Sequence, residues 1–120
     1  MWYLGTGKVW TAGYDKALKV WDPQTRRRLK SRNIATIISD LCYVRSCKQV
    51  WTISDDAYIR VFDAAGNNVQ LAHPSPEKPE NTLRMRSEMR FITYYESANL
   101  IYVALTRSLA AIDPSTCGMP

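Results

Sequence analysis

Apolar residues in this chain come in short runs in which they alternate with polar residues, and polar turns separate the runs. In the segment 17–22, Leu18 and Val20 fall on one face of an extended chain. Lys19 and Trp21 fall on the other face. Helical periodicity of any length is missing, so the pattern predicts an all-β fold. The predicted strands are residues 2–4, 8–12, 17–22, 26–31, 34–44, 50–54, 58–63, 69–72, 89–95, 101–103 and 109–113.

One hairpin pattern occurs twice. Residues 9–22 read VWTAGYDKALKVWD, and residues 50–63 read VWTISDDAYIRVFD. Six residues of the first copy recur unchanged 41 positions later, namely Val9, Trp10, Thr11, Asp15, Val20 and Asp22. Three more, Leu18, Lys19 and Trp21, are replaced by the similar Ile59, Arg60 and Phe62. A third, degraded copy follows at residues 101–103 and 109–113. A fixed period of this size predicts a repeat architecture.

The repeat resembles the units of the WD-repeat β-propeller family, which have about 40 residues, four short strands and an aromatic–Asp pair that ends the third strand. The residues that carry the resemblance are Asp15 with Trp21-Asp22, Asp56 with Phe62-Asp63 and, more weakly, Ile112-Asp113. The Gly-His dipeptide of that family is missing, since the sole histidine, His73, follows Ala72. Thr106 stands where the third unit would have its turn Asp. The resemblance implies antiparallel four-stranded blades.

The same resemblance divides the chain into four parts. Residues 1–32 are the end of a blade, 33–72 a complete blade, 73–88 a Pro-rich insertion loop and 89–120 a partial blade. Closed propellers have about 4–8 blades, so the chain implies an incomplete ring. Because open sheets expose edges and faces that tend to aggregate, we expect flanking blades of a longer chain, or other copies, to cover them.

Recurrence also decides how the repeated aromatic and acidic residues are interpreted. A metal site, an acid–base pair or a ligand-stacking platform would not need the same residues in each unit, whereas turns and packing do. We therefore assign structural roles to Trp10, Asp15, Trp21, Asp22, Trp51, Asp56, Phe62 and Asp63.

Motifs for catalysis are missing from the sequence. His73 is the only histidine and lies in the Pro-rich loop, where Ser75-Pro76 would suit a proline-directed phosphate or an exposed linear motif. A tolerated insertion is the favoured interpretation of that loop. Cys42 and Cys47 lack zinc-ligand spacing. We predict that the chain is not an enzyme and has no catalytic residue, cofactor or metal.

Cysteine usage and the lack of targeting segments predict the compartment in which the protein lies. Cys42, Cys47 and Cys117 are an odd number without C-x-x-C spacing, which favours reduced thiols. No stretch reaches the roughly 20 apolar residues of a membrane span, and the first residues do not form a secretory signal. The prediction is a cytoplasmic protein without a transmembrane segment.

A basic run between the first two copies is the clearest feature outside the repeat. It contributes to a formal charge of +5, from 16 basic and 11 acidic residues. The candidate interaction residues are Arg26, Arg27, Arg28, Lys30 and Arg32. Clustered cations of this kind bind phosphates, acidic peptides or anionic lipids. The alternative is a charged outer strand that protects a sheet edge.

The resulting functional prediction is a noncatalytic propeller segment that acts as a protein–protein interaction scaffold, with a protein as partner. One alternative is a basic module that binds phosphoinositide membranes or nucleic acid. Another is a regulatory propeller within a larger signalling enzyme such as an inositol polyphosphate phosphatase. Both alternatives remain open at the level of the sequence.

Overall fold

The computed structural model describes residues 2–3, 7–34, 36–69, 82–84 and 88–114, and for residues 2–3 and 82–84 it describes the backbone alone. These residues form eleven strands and one turn of 3-10 helix, Glu96–Ala98. The strands are β1 (Trp2–Tyr3), β2 (Val9–Ala12), β3 (Ala17–Trp21), β4 (Arg28–Asn33), β5 (Ile38–Val44), β6 (Gln49–Ser54), β7 (Tyr58–Asp63), β8 (Thr82–Arg84), β9 (Met89–Tyr95), β10 (Leu100–Leu105) and β11 (Leu109–Ile112).

The strands form three antiparallel sheets. The first sheet has the order β1-β2-β3-β4, the second β5-β6-β7-β8, and the third β9-β10-β11. Each strand pairs with its neighbour in the sequence, so every sheet is a meander. The all-β prediction is confirmed. The repeated hairpins are the two middle strands of the first and second sheets.

The strand register determines which residues share a face in the first and second sheets. In the first sheet, the front face carries Val9, Thr11, Lys19 and Trp21, and the back face carries Trp10, Leu18 and Val20. In the second sheet, the front face carries Val50, Thr52, Arg60 and Phe62, and the back face carries Trp51, Ile53, Ile59 and Val61. The register of the repeated pairs is the same, since Trp10 lies opposite Val20 and Trp51 opposite Val61.

The sheets pack in one constant sense. The back face of the first sheet lies on the front face of the second, where Trp10, Leu18, Val20, Leu41, Val50 and Phe62 form one buried cluster. The back face of the second sheet lies on the third, where Val44, Trp51, Ile53, Ile59, Val61, Met89, Ile92, Ile101 and Val103 form another. Alternating side chains along β6 and β7 of the second sheet thus enter two different cores.

Burial of apolar side chains dominates these interfaces energetically. A fully buried side chain of Val, Leu or Phe size stabilises by about 1.5–3 kcal/mol. The exposed ion pair between Arg45 and Glu96 (3.7 Å), which joins the second and third sheets, has both side chains more than 60% exposed. Such pairs contribute about 0–1 kcal/mol. A shorter polar link is the bond of the Ile92 N–H to Asp40 Oδ2 (3.2 Å).

The turns of the two hairpins repeat as closely as their strands. Lys16 and Ala57 lie 41 positions apart and have φ of 62° and 66°. Gly7 and Lys48, also 41 positions apart, precede the hairpins with φ of 81° and 55°. Left-handed backbone costs a non-glycine residue about 1–2 kcal/mol, so the pairing of the strands enforces this conformation at Lys16, Ala57 and Lys48.

Two strands begin at least two residues later than predicted. The basic strand begins at Arg28 and ends at Asn33, because a turn from Asp22 to Arg27 occupies the first predicted residues. In that turn the Arg26 N–H donates to the Asp22 carbonyl (2.7 Å), and the Asp22 N–H donates to the Arg27 carbonyl (2.9 Å). The strand predicted at residues 34–44 begins only at Ile38.

The fourth strand of the second sheet was predicted at residues 69–72. Val69 donates its N–H to the Val61 carbonyl (3.2 Å), and residues 70–72 lie outside the described part of the chain. The strand that completes the sheet is Thr82–Arg84, and Leu83 pairs with Ile59. This strand lies within the segment predicted as an insertion loop, and the sequence does not predict it.

One buried polar group distinguishes the two hairpins. The Trp51 indole Nε1–H donates to the Gln49 Oε1 (3.1 Å). Among the described residues, the equivalent Nε1–H of Trp10 has no partner, although the side chain is fully buried. The residue equivalent to Gln49 is Lys8, whose ammonium group donates hydrogen bonds and accepts none.

We expect Lys8→Gln to stabilise the protein, because it places an amide oxygen where Gln49 has one. A hydrogen bond gained by a buried donor contributes about 0.5–1.5 kcal/mol to the free energy of unfolding, to be measured by urea denaturation. Lys8→Met is the matched control, since it also removes the charge but supplies no oxygen acceptor. Equal stability of the two variants would contradict the expectation.

Candidate functional site

The four repeated aspartates lie in turns and accept backbone hydrogen bonds. Each carboxylate accepts from the N–H two residues ahead: Asp15 from Ala17 (3.2 Å), Asp22 from Gln24 (2.9 Å), Asp56 from Tyr58 (3.2 Å) and Asp63 from Ala65 (2.9 Å). Side-chain bonds of this kind stabilise tight turns. Their geometry therefore fits the structural role assigned to them, and they do not converge on a common ligand.

Asp56 belongs to a compact polar network with Ser54 and Arg60. The Arg60 guanidinium donates to Asp56 Oδ1 (3.2 Å), to Asp56 Oδ2 (2.8 Å) and to the Ser54 hydroxyl (2.6 Å), and that hydroxyl donates to Asp56 Oδ1 (2.8 Å). Burial alone would raise the pKa of Asp56. The hydrogen bonds from Arg60 and Ser54 and the charge of Arg60 outweigh it, so the pKa lies below its usual value.

The equivalent network in the first hairpin is weaker. Lys19 and Asp15 are 3.4 Å apart, with side chains 29% and 59% exposed, whereas those of Arg60 and Asp56 are 9% and 27% exposed. Gly13 replaces Ser54, so no hydroxyl joins the pair. The pKa of Asp15 is also lowered, first by the hydrogen bond from the Ala17 N–H. The difference follows from packing, since the first sheet covers the front face of the second, whereas no described residue covers the front face of the first.

Three of the four repeated aromatic residues are buried between sheets. Trp10, Trp51 and Phe62 are at most 1% exposed, and the rings of Trp10 and Phe62 lie 6.2 Å apart at 56°. Trp21 differs, because it lies on the uncovered front face and is half-buried. Its indole Nε1–H donates to the Thr11 hydroxyl (2.9 Å).

The predicted basic cluster divides into two groups. Lys30 and Arg32 lie on the back face of the first sheet, opposite Val20 and Leu18. Lys30 donates to the Asn67 side chain, Arg32 donates to Asn68 Oδ1 (2.7 Å), and the Arg32 guanidinium lies 5.9 Å from the centre of the Phe62 ring. These two residues therefore join the first sheet to the second.

The other group, Arg26, Arg27 and Arg28, is exposed. Within the described residues, the three guanidinium groups make no hydrogen bond and no ion pair. Arg26 adopts a left-handed conformation (φ 60°) at the end of the turn, and Arg28 lies opposite Trp21 at a register shift between β3 and β4. The turn and the shift thus direct three charges to one end of the sheet.

A shallow groove of about 360 Å³ adjoins these arginines on the front face. It is lined by Val9, Thr11, Trp21, Asp22, Pro23 and Arg26. The groove combines an apolar floor with an adjacent positive charge, a chemistry suited to an acidic segment that carries an aromatic or aliphatic side chain. The groove was not predicted from the sequence, although the half-polar strand Val9–Ala12 beside the Arg run was a usable signal.

Cys42 and Cys47 are the two thiols that the structure describes, and the pKa of each is raised. Burial raises the pKa of Cys42 to about 12, with smaller contributions from Asp40 and Cys47. Burial also raises the pKa of Cys47, so both thiols stay protonated near neutral pH. His73 and Cys117 lie outside the described residues. Among those that are described, no group of three or more His, Cys, Asp or Glu could hold a metal ion.

No protein-family model matches the chain, and no curated protein matches it either. The part of the chain that the structure describes contains no helix with the length and apolar character to cross a bilayer.

We expect Asp56→Asn to destabilise the protein by about 2–3 kcal/mol, because it removes the charge that compensates a nearly buried guanidinium. Since the folded-state pKa of Asp56 is lowered, the stabilisation is complete above the ordinary value of 3.8 and is lost as the pH falls through the folded-state value. Urea denaturation at several pH values measures both effects.

Asp15→Asn is the matched control at the equivalent position. We expect a much smaller loss, since the Asp15–Lys19 pair is exposed. Equal losses at the two sites, or a loss for Asp56→Asn that does not shrink in acid, would contradict the interpretation.

Proposed function

We propose that this protein is a noncatalytic interaction scaffold whose three sheets are WD-repeat-like propeller blades. Two features support the blade assignment. The repeated hairpins are the middle strands of four-stranded meanders, and the sheets pack back to front in one sense, as small sheets do around a propeller. We further propose a cytoplasmic location, where free thiols such as Cys42 and Cys47 stay reduced.

The partner we propose is a protein with an acidic segment that contains at least one apolar side chain. The observation that carries this proposal is the group Arg26, Arg27 and Arg28 beside the groove at Trp21. Elsewhere in the basic run, Lys30 and Arg32 have partners within the protein. Unpaired guanidinium groups form charge-assisted and often bidentate bonds with carboxylates, while the apolar floor would bury the neighbouring side chain.

We expect reversal of the three free charges, Arg26→Glu with Arg27→Glu and Arg28→Glu, to weaken binding of a labelled peptide of glutamates and one phenylalanine by about tenfold or more. Fluorescence anisotropy at fixed ionic strength measures the affinity. A triple reversal at the exposed Arg45, Arg90 and Arg107 changes the net charge equally and is the control. The same loss for both triple variants would indicate a general charge effect and contradict the proposal.

A second candidate function is the binding of phosphate-bearing polyanions, favoured by the same three unpaired arginines. Two separate probes are used: vesicles that contain a phosphoinositide, and a single-stranded oligonucleotide. Retention that falls steeply with salt and is abolished by the reversal of Arg26, Arg27 and Arg28 would support this function. Binding of these probes without binding of the acidic peptide would contradict the protein scaffold and favour the anion-binding module.

A further inference from the structure

The back face of the third sheet is an exposed apolar surface. The register of β9, β10 and β11 places Phe91, Thr93, Tyr95, Tyr102, Ala104, Leu109 and Ala111 on this face. Phe91, Tyr95 and Leu109 are 66%, 53% and 65% exposed, and they make up three of the five exposed large hydrophobic residues that the described part of the chain contains. The rings of Tyr95 and Tyr102 lie 6.3 Å apart. Clustered exposed side chains of this kind mark an interaction surface.

The repeat relates this exposed face to two faces that are buried. Paired residues show the equivalence: Tyr102 lies opposite Ala111, as Trp51 lies opposite Val61 and Trp10 opposite Val20. Both tryptophans are fully buried against the front face of the next sheet. The back face of the third sheet thus has the position and the apolar character of a surface that receives a front face.

A complementary front face is open at the other end of the protein. The front face of the first sheet carries Val9, Thr11 and Trp21, and the groove of about 360 Å³ lies along it. The equivalent residues of the second sheet, Val50, Thr52 and Phe62, are at most 1% exposed, because the first sheet covers them. Within the part of the chain that the structure describes, an uncovered front face and an uncovered back face therefore lie on the same molecule.

We propose that a second copy of this chain occupies the back face of the third sheet through the front face of its own first sheet. The contact would repeat the back-to-front packing that the molecule already uses twice. It is heterologous, since two different surfaces meet, so it leads to a closed ring if the rotation closes and to an open chain of copies if it does not. The inference rests on sheet packing. Because the front-face contact includes the groove proposed for the acidic partner, a second copy and that partner would compete for it.

Sedimentation velocity of the 120-residue chain over a range of concentrations tests the proposal. We expect reversible, concentration-dependent association. Leu109→Asp on the exposed back face and Val9→Asp on the open front face should each weaken it by about tenfold or more, since each places a charge in an apolar contact. Tyr14→Asp is the control, because Tyr14 is 89% exposed and lies in the hairpin turn, outside both faces.

Mixing the two variants identifies the faces that meet. Each variant keeps one intact face, so an equimolar mixture of the Leu109→Asp and Val9→Asp chains should form a heterodimer that neither forms alone. Association that Val9→Asp leaves unchanged would indicate back-to-back contact and overturn the proposal. A monomer at all concentrations would overturn it too, since something other than a second copy would then cover the face.

Circular dichroism and urea denaturation establish that the variants are folded. If either variant does not fold, Phe91→Glu on the back face and Thr11→Glu on the front face replace it, and the expected results are the same. Peptide binding by the unmodified chain is measured in parallel, at concentrations below those of self-association, so that a second copy does not occupy the groove. Loss of the acidic-peptide interaction with intact self-association would count against the proposed function alone, and the reverse result against this inference alone.

Discussion

Burial of a back face on the next front face is the interaction on which this structure depends. Trp10 and Trp51 lie in the two interfaces and are fully buried. Around them the polar contacts between sheets are few and partly exposed, so the apolar contacts supply most of the stabilisation. A small sheet cannot bury its apolar face alone, and each sheet therefore packs on a neighbour. The register, the repeated turns and the placement of charged residues are all compatible with this requirement.

The hairpins could be predicted from the sequence because the residues that form their strands and turns occur twice, 41 positions apart. The alternation of apolar and polar residues around Leu18 and Val20 predicted the two faces of the strand. The recurrence of Asp15 at Asp56 predicted the turns. The strand Thr82–Arg84 could not be predicted, since an outer strand with a single apolar residue carries little periodic signal. The shift of the basic strand to Arg28 was missed because the hydrogen bonds of the turn after Asp22 compete with strand pairing.

The basic residues of the candidate site were predicted from the sequence as one run. The tertiary structure divides them into two groups. Alternation along β4 places Lys30 and Arg32 toward the second sheet, where Asn67 and Asn68 accept their hydrogen bonds. No local pattern reveals those acceptors, which lie more than 30 positions away. Arg26, Arg27 and Arg28 remain available because they precede or begin the strand. The proposed binding specificity is thus expected where the repeats differ, while the shared residues maintain the sheets.

A double-mutant cycle across the first interface tests the packing of the sheets most directly. Trp10→Phe and Phe62→Leu are combined, and the free energies of unfolding are measured by urea denaturation. Because the two rings lie 6.2 Å apart, we expect a coupling energy of about 0.5–1.5 kcal/mol. The same cycle between Trp10 and Ile101, which lies in the third sheet, should be additive within about 0.5 kcal/mol. Additivity between Trp10 and Phe62 would contradict back-to-front packing of the first two sheets.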